Sequence, residues 1–198
     1  METFKAALAS AKECGHEYIC LGGGEPTLHP DFEMMLLLAI ATMEDVFIIT
    51  NGSQTDRALA LAKLAEKGVI GAELSRDEWH DAIDDDVVEA FTVRKKQGYS
   101  YGNESKDRRG IRTVRTILRQ GRGARKSFMN RHKTIEGCAC DSDPHVDPMG
   151  NVHQCGCLDA PIVGDVFSGF QPLFNDDGDT WVCHKEIAKK AAKEEVLV

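Results

Sequence analysis

Residues 22–26 have the composition of a ligand-binding turn. Three glycines at 22–24 are followed by Glu25 and Pro26. Glycines at the carboxyl end of a strand let the backbone approach a ligand closely, because no Cβ stands in the way. The Glu25 carboxylate could accept a hydrogen bond from an ammonium or hydroxyl group, and Pro26 fixes the direction in which the chain leaves. The alternative is a glycine-rich turn between a strand and a helix that binds nothing.

Four of the seven cysteines form two Cys-x-Cys pairs in the C-terminal part of the chain: Cys138, Cys140, Cys155 and Cys157. Residues i and i+2 of a strand point to the same side, and a hairpin turn at 149–151 would bring the pairs together. Four thiolates so placed could hold zinc or a [4Fe–4S] cluster. The alternative is reduced structural cysteines. The further candidate ligands are His145, His153, Cys183 and His184.

Positive charge is concentrated in residues 106–133, which contain eleven lysines and arginines but one acid, Asp107. Such a segment could bind phosphate, a nucleotide-bearing substrate or an acidic partner. Phe128 is its single aromatic residue, so base stacking on this segment is not expected. The alternative is a solvated basic face that balances acidic helices, and we expect no nucleic-acid partner.

Length and composition fit a globular chain that buries one sizeable core. The 198 residues are 42% hydrophobic and carry a net charge of −8, which excludes a surface that binds nucleic acid throughout. No apolar run reaches the length of a membrane span, and the first residues lack the plan of a signal peptide. Seven cysteines without an export signal favour reduced thiols or metal ligands. We therefore expect a soluble, cytoplasmic protein.

Short apolar strands and helices alternate along the first 120 residues, which is typical of parallel βα units. The strand ends at Leu21, Thr50 and Leu74 should then lie on one face, where such folds place their sites. Thr55 or Asp56 is the expected cap of the third helix. The pattern predicts helices at 2–14, 31–43, 58–67 and 84–96, and strands at 17–21, 45–50, 69–74 and 111–118.

The run LGGGEPTLHPDF, residues 21–32, resembles the second barrel strand of radical S-adenosylmethionine (SAM) enzymes and its GGEP motif. Three further runs are similar to family motifs: ITNG at 49–52, ELSRDEWHD at 73–81 and QGRGA at 120–124. The resemblance covers about residues 1–165. It implies an α/β fold, an incomplete (β/α)6 partial TIM barrel with a small Cys-rich C-terminal extension. Residues 1–120 would form the partial barrel, and residues 121–198 would add its last elements and the extension.

In the family, the GGEP turn holds the amino group of SAM, and polar groups on the next strands hold its ribose and carboxylate. The resemblance therefore implies that the cofactor-binding residues here are Gly23, Gly24, Glu25, Pro26, Asn51 and Ser75. Asn51 could instead be only a turn residue, and Ser75 only a cap. His80 could be a proton donor or a solvated histidine. No other residue is assigned a catalytic role.

One family feature is missing from the sequence. The family's [4Fe–4S] cluster is held by C-x3-C-x2-C, and no such spacing occurs here. The motif would fall just before residue 1. We therefore expect a truncated or degenerate family member that binds SAM at best, unless a partner chain donates the cluster. The alternative is a non-enzymatic, metal-stabilised binding or regulatory module. The open barrel edges would favour a partner chain or a homo-oligomer, and the substrate is not indicated.

Overall fold

The computed structural model describes residues 1–76, 82–93, 107–112, 144–156 and 160–171. Among these residues, no helix is long and apolar enough to cross a membrane. The chain divides into two compact units, one formed by Met1 with residues 11–115 and the other by residues 2–10 with residues 116–198. The predicted boundary between 120 and 121 stays a prediction.

A parallel four-stranded sheet in the order β1-β2-β3-β4 forms the centre of the first unit. Each strand follows the preceding one through a helix, which agrees with the predicted βα units. Helix α1 (Glu2–Glu13) precedes these elements, and its residues 2–10 belong to the second unit. The elements of the first unit are β1 (Tyr18–Leu21), a 3₁₀ helix (Pro26–Leu28), α2 (Phe32–Thr42), β2 (Asp45–Thr50), α3 (Thr55–Glu66), β3 (Gly71–Ser75), α4 (Asp85–Phe91) and β4 (Arg109–Arg112).

The two faces of this sheet differ in what covers them. Ala72 and Leu74 are fully buried, and a Cβ added at Gly52 would touch both the Leu74 and the Val87 side chains. Leu74 therefore points to the side on which α4 lies. Consecutive right-handed crossovers place α2, α3 and α4 on that same side. Because side chains alternate along a strand, Glu73 and Ser75 point to the opposite side, called the open face below because α2, α3 and α4 do not lie on it. Phe47 of β2 lies on this side too and is buried.

A second, antiparallel sheet in the order β5-β6-β7-β8 forms part of the second unit. Its strands are β5 (His145–Val146), β6 (Asn151–His153), β7 (Ile162–Asp165) and β8 (Gly169–Phe170). The Asp147 carboxylate accepts hydrogen bonds from the Met149 and Asn151 backbone N–H groups and from the Asn151 side chain. These bonds hold the turn between β5 and β6, so the predicted hairpin at 149–151 is confirmed.

Most predicted elements lie within a few residues of those in the structure, with four differences. The helix predicted at 84–96 ends at Phe91, where Thr92 turns to an extended conformation. The third helix begins at Thr55 itself and its N-cap is Gln54, so the predicted cap at Thr55 or Asp56 is wrong. The strand predicted at 69–74 begins at Gly71, because the turn after α3 extends through Ile70. The strand predicted at 111–118 begins at Arg109, two residues earlier, and residues after 112 lie outside the described part. His80, Cys138, Cys140, Cys157, Cys183 and His184 also lie outside it.

Candidate functional site

The glycine turn lies at the carboxyl edge of the parallel sheet. Register pairs Leu21 of β1 with Ile48 of β2, and Thr50 of β2 with Leu74 of β3, so the three strands end close together. Residues 22–24 are exposed, and a Cβ added to any of these glycines would meet no atom within 4 Å. Gly23 has φ +95°, a conformation that L side chains rarely adopt. The turn thus presents bare backbone to open space at the edge where parallel sheets bind ligands.

The Glu25 carboxylate joins this turn to the end of β2. Its Oε1 accepts hydrogen bonds from the Thr27 N–H at 3.1 Å, the Thr27 hydroxyl at 2.5 Å and the Thr50 hydroxyl at 2.8 Å. Its Oε2 accepts one from the Asn51 N–H at 2.5 Å. Thr27 and Thr50 are buried, so these bonds are shielded from water. Glu25 therefore caps the 3₁₀ helix and fixes the turn to β2.

Arg57 holds the same loop from α3. Its guanidinium contacts both oxygens of Glu33, and it donates hydrogen bonds to the backbone carbonyls of Thr27 and His29. The planar guanidinium can bind a carboxylate with two parallel bonds and still reach the carbonyls, which a lysine could not do. The loop after β1 is thus fixed on both sides, by Glu25 to β2 and by Arg57 to α3.

Asn51 and Gly52 form a tight turn after β2. The Asn51 side-chain oxygen accepts a hydrogen bond from the Ser53 N–H at 2.9 Å. Gly52 has φ +75°, and a Cβ there would lie 2.8 Å from Leu74 Cδ1. The glycine is therefore required both by backbone conformation and by close packing. The side-chain oxygen of Asn51 therefore stabilises the turn, while the backbone N–H of Asn51 donates a hydrogen bond to Glu25.

Ser75 of β3 lies opposite Arg112 of β4 in the parallel register. Arg109 donates to the Ala90 carbonyl of α4, so it lies on the helix side of the sheet. Alternation then places Arg112 on the open face with Ser75. Arg112 is exposed, and an exposed guanidinium beside a hydroxyl suits a carboxylate. The sequence prediction did not include Arg112 as a site residue, because its position beside Ser75 follows from the register of β3 and β4.

Glu73 lies on the open face two residues before Ser75. Desolvation by its partial burial raises the pKa of its carboxyl, and the positive charge of Arg112 opposes this shift. No hydrogen bond or ion pair within the described residues ends on this carboxylate. The functional-site prediction from sequence did not include Glu73.

Residues 1–118, more than half of the chain, match the family model described as the radical SAM superfamily. The chain belongs to the radical SAM superfamily. Comparisons with curated proteins and with solved structures found no match. Members of this superfamily have a TIM-barrel-like α/β fold, and the parallel sheet with its crossover helices agrees with that class. The family generally binds SAM and a [4Fe–4S] cluster.

The described residues of this radical SAM chain do not bring together cysteines that could ligate iron. Cys14 and Cys20 are exposed, and Cys155 is buried just after β6. No group of three metal-ligating side chains occurs among the described residues. Of the further candidate ligands, His145 and His153 face each other across β5 and β6 with ring centroids 6.0 Å apart. His153 also contacts Asp147, with 3.3 Å between Nε2 and Oδ2.

Proposed function

We propose that this radical SAM chain binds SAM at the carboxyl edge of its parallel sheet. The site consists of residues 22–24, Asn51, Ser75 and Arg112, with Glu25 as the residue that positions the turn. The observation that carries the proposal is the anchoring of Glu25 to Thr50 and Asn51, which holds three glycines at this edge with open space in front of them.

The residues of the edge fit the two charged ends of the methionine part of SAM. Backbone carbonyls of the glycine turn can accept hydrogen bonds from the ammonium group, and Glu25 Oε2 adds negative charge nearby. Ser75 and Arg112 can bind the carboxylate. The Asn51 side-chain NH₂ can reach a ribose hydroxyl. The predicted roles of Gly23, Gly24, Asn51 and Ser75 are thus kept, and Pro26 contributes by starting the 3₁₀ helix.

Glu25 serves in this proposal mainly as a positioning residue. Its Oε1 has no capacity left for a ligand, because it already accepts three hydrogen bonds from the protein. Oε2 accepts one from the Asn51 N–H and keeps a lone pair for a ligand. The carboxylate can therefore hold the turn and still attract an ammonium group.

The [4Fe–4S] cluster does not fit the described residues, since they bring no three thiolates together. In the family, SAM bound to a reduced cluster supplies a 5′-deoxyadenosyl radical. We assign SAM binding to this chain and derive no radical step from it. Any cluster would need thiolates from outside the described residues or from a partner chain.

Calorimetry with SAM tests the proposal. Wild-type chain should bind SAM, and Arg112→Gln should weaken binding about tenfold, as expected for losing a charge-assisted hydrogen bond. Ser75→Ala should weaken it less. Lys67→Gln removes another exposed cation just after α3 and should leave binding unchanged. Failure of the wild type to bind, or equal binding by the Arg112 and Lys67 variants, would contradict the proposal.

A second candidate function is a non-enzymatic binding or regulatory module whose C-terminal part is stabilised by metal. The observation in its favour is the complete burial of Cys155, which directly follows the hairpin of β5 and β6. In this candidate, Cys138, Cys140, Cys155 and Cys157 hold zinc or an iron–sulfur cluster, and the open edges of the barrel remnant bind a partner chain or a second copy.

A further inference from the structure

The open face of the parallel sheet carries an ion pair at its lower end, where the strands begin, and polar side chains at its upper end, where the strands end. At the lower end, the Arg108 guanidinium makes two 2.7 Å hydrogen bonds with the Asp45 carboxylate. Ser75 and Arg112 lie at the upper end, by the strand ends. Glu73 lies between them. Arg108 is neutralised by Asp45, so it offers Glu73 little charge compensation.

Two of the positions next to Glu73 on this face are glycines. Register pairs Glu73 with Gly110 on β4 and with Ile49 on β2. Gly71, two residues earlier on β3, points to the same face. Neither glycine contributes a side chain, so the carboxyl has no side-chain neighbour at the paired position on β4 or at the preceding position on its own strand.

Compensation of the Glu73 charge is incomplete within the described residues. Arg112 attracts the carboxylate, but it makes no ion pair with it, and the pKa of Glu73 is raised because desolvation outweighs that attraction. A partly buried carboxylate without a donor gains most from a ligand that brings a positive charge and N–H groups. If Arg112 binds the carboxylate of SAM, its positive charge compensates Glu73 still less.

We propose that Glu73 binds a cationic nitrogen of the substrate, such as an alkylammonium group, on the open face below the SAM site. The inference rests on the proposed function only in taking this face as the substrate face. It assigns the substrate to the class of amines, which neither the family nor the motif does.

Three four-carbon probes, whose polar groups are positive, neutral and negative, test the assignment: n-butylammonium, n-butanol and butyrate. NMR of ¹³C-labelled protein would follow the Glu73 carboxyl. Butylammonium should lower its apparent pKa, and the Glu73 signal should respond to butylammonium at least tenfold more strongly than to the other two probes. Because protons compete for the same carboxylate, affinity should fall as the pH falls through the raised pKa of Glu73.

Glu73→Gln should abolish this binding, whereas Glu44→Gln, which changes an exposed acid just before β2, should not. The wild-type titration decides the question even if Glu73→Gln does not fold. Equal response to butanol, a response to butyrate, or binding that survives in Glu73→Gln would overturn the assignment. Competition between SAM and butylammonium would also overturn it, since Glu73 would then belong to the SAM site. Loss of SAM binding with butylammonium binding intact would contradict the proposed function alone.

Discussion

Glu25 shows how one side chain can link segments that are distant in sequence. Its carboxylate bonds Thr27 in its own loop and reaches Thr50 and Asn51, about two dozen residues later. The GGEP run predicts a turn with an acid at its end, but not the partners of that acid. Those partners depend on the register in which β1 pairs with β2, which was not predicted from the sequence.

Replacing Glu25 by glutamine should therefore loosen the glycine turn. Glutamine has one acceptor oxygen, and its NH₂ group would face the N–H or hydroxyl donors that now bond the second oxygen. We expect a loss of roughly 1–3 kcal/mol in the free energy of unfolding, because buried donors lose their acceptor. Urea unfolding measures the loss, and hydrogen exchange at the Asn51 N–H should become faster. Unchanged exchange at Asn51 would show that the carboxylate does not hold the turn.

At the scale of elements, the order of helices and strands in the first unit could be predicted, because periodicity and glycine ends mark each of them. The position of β4 could not be predicted closely. Arginines alternate with apolar residues over 109–118, and this pattern fits several strand registers. The choice depends on Arg109 reaching Ala90 of α4 and on Arg108 reaching Asp45 of β2. Both contacts are long-range, so local sequence carries no signal for them.

The ion pair between Arg108 and Asp45 should stabilise the docking of β4 onto the sheet. Both side chains are about one-fifth to one-quarter exposed, at 21% and 24%, so water screens the pair only in part. Arg108→Gln should lower the free energy of unfolding by about 2 kcal/mol, because it leaves Asp45 partly buried and unpaired. Adding Asp45→Asn should recover part of that loss. Urea unfolding of the two single variants and the double variant gives the coupling, and strictly additive losses would exclude a direct interaction.

The hairpin of β5 and β6 should weaken in acid through Asp147. Partial burial favours its neutral form, but hydrogen bonds from Asn151, His153 and the Met149 N–H outweigh burial and lower its pKa from 3.8 to about 2. A lowered pKa stabilises the fold above the unfolded value, and this contribution is lost as the pH falls from 3.8 towards about 2. Asp147→Asn should therefore lower the unfolding midpoint at neutral pH and flatten its decline between these pH values. Asp31→Asn changes an exposed acid without a side-chain cap bond and should follow the wild type.

At the scale of the whole molecule, family membership and the parallel α/β unit follow from sequence, while the chemistry of the C-terminal cysteines does not. A Cys-x-Cys pair has a short bite that suits reduced thiols as well as ligands, so spacing alone leaves both open. The fold supplies one relevant fact, the burial of Cys155 beside a hairpin held by Asp147. The predicted cytoplasmic location and the predicted partner chain stay predictions.

Metal content decides whether the C-terminal cysteines ligate a metal or are reduced structural cysteines. If they ligate, anaerobically purified chain should contain roughly one zinc ion, or iron with matching sulfide, per molecule. Cys155→Ser should remove most of it and lower the unfolding midpoint, because metal binding contributes folding free energy. Cys14→Ser changes an exposed thiol after α1 and should keep both metal and stability. Elemental analysis with a visible absorption spectrum separates zinc from an iron–sulfur cluster. A wild-type chain that contains neither would leave Cys155 as a buried, reduced structural cysteine.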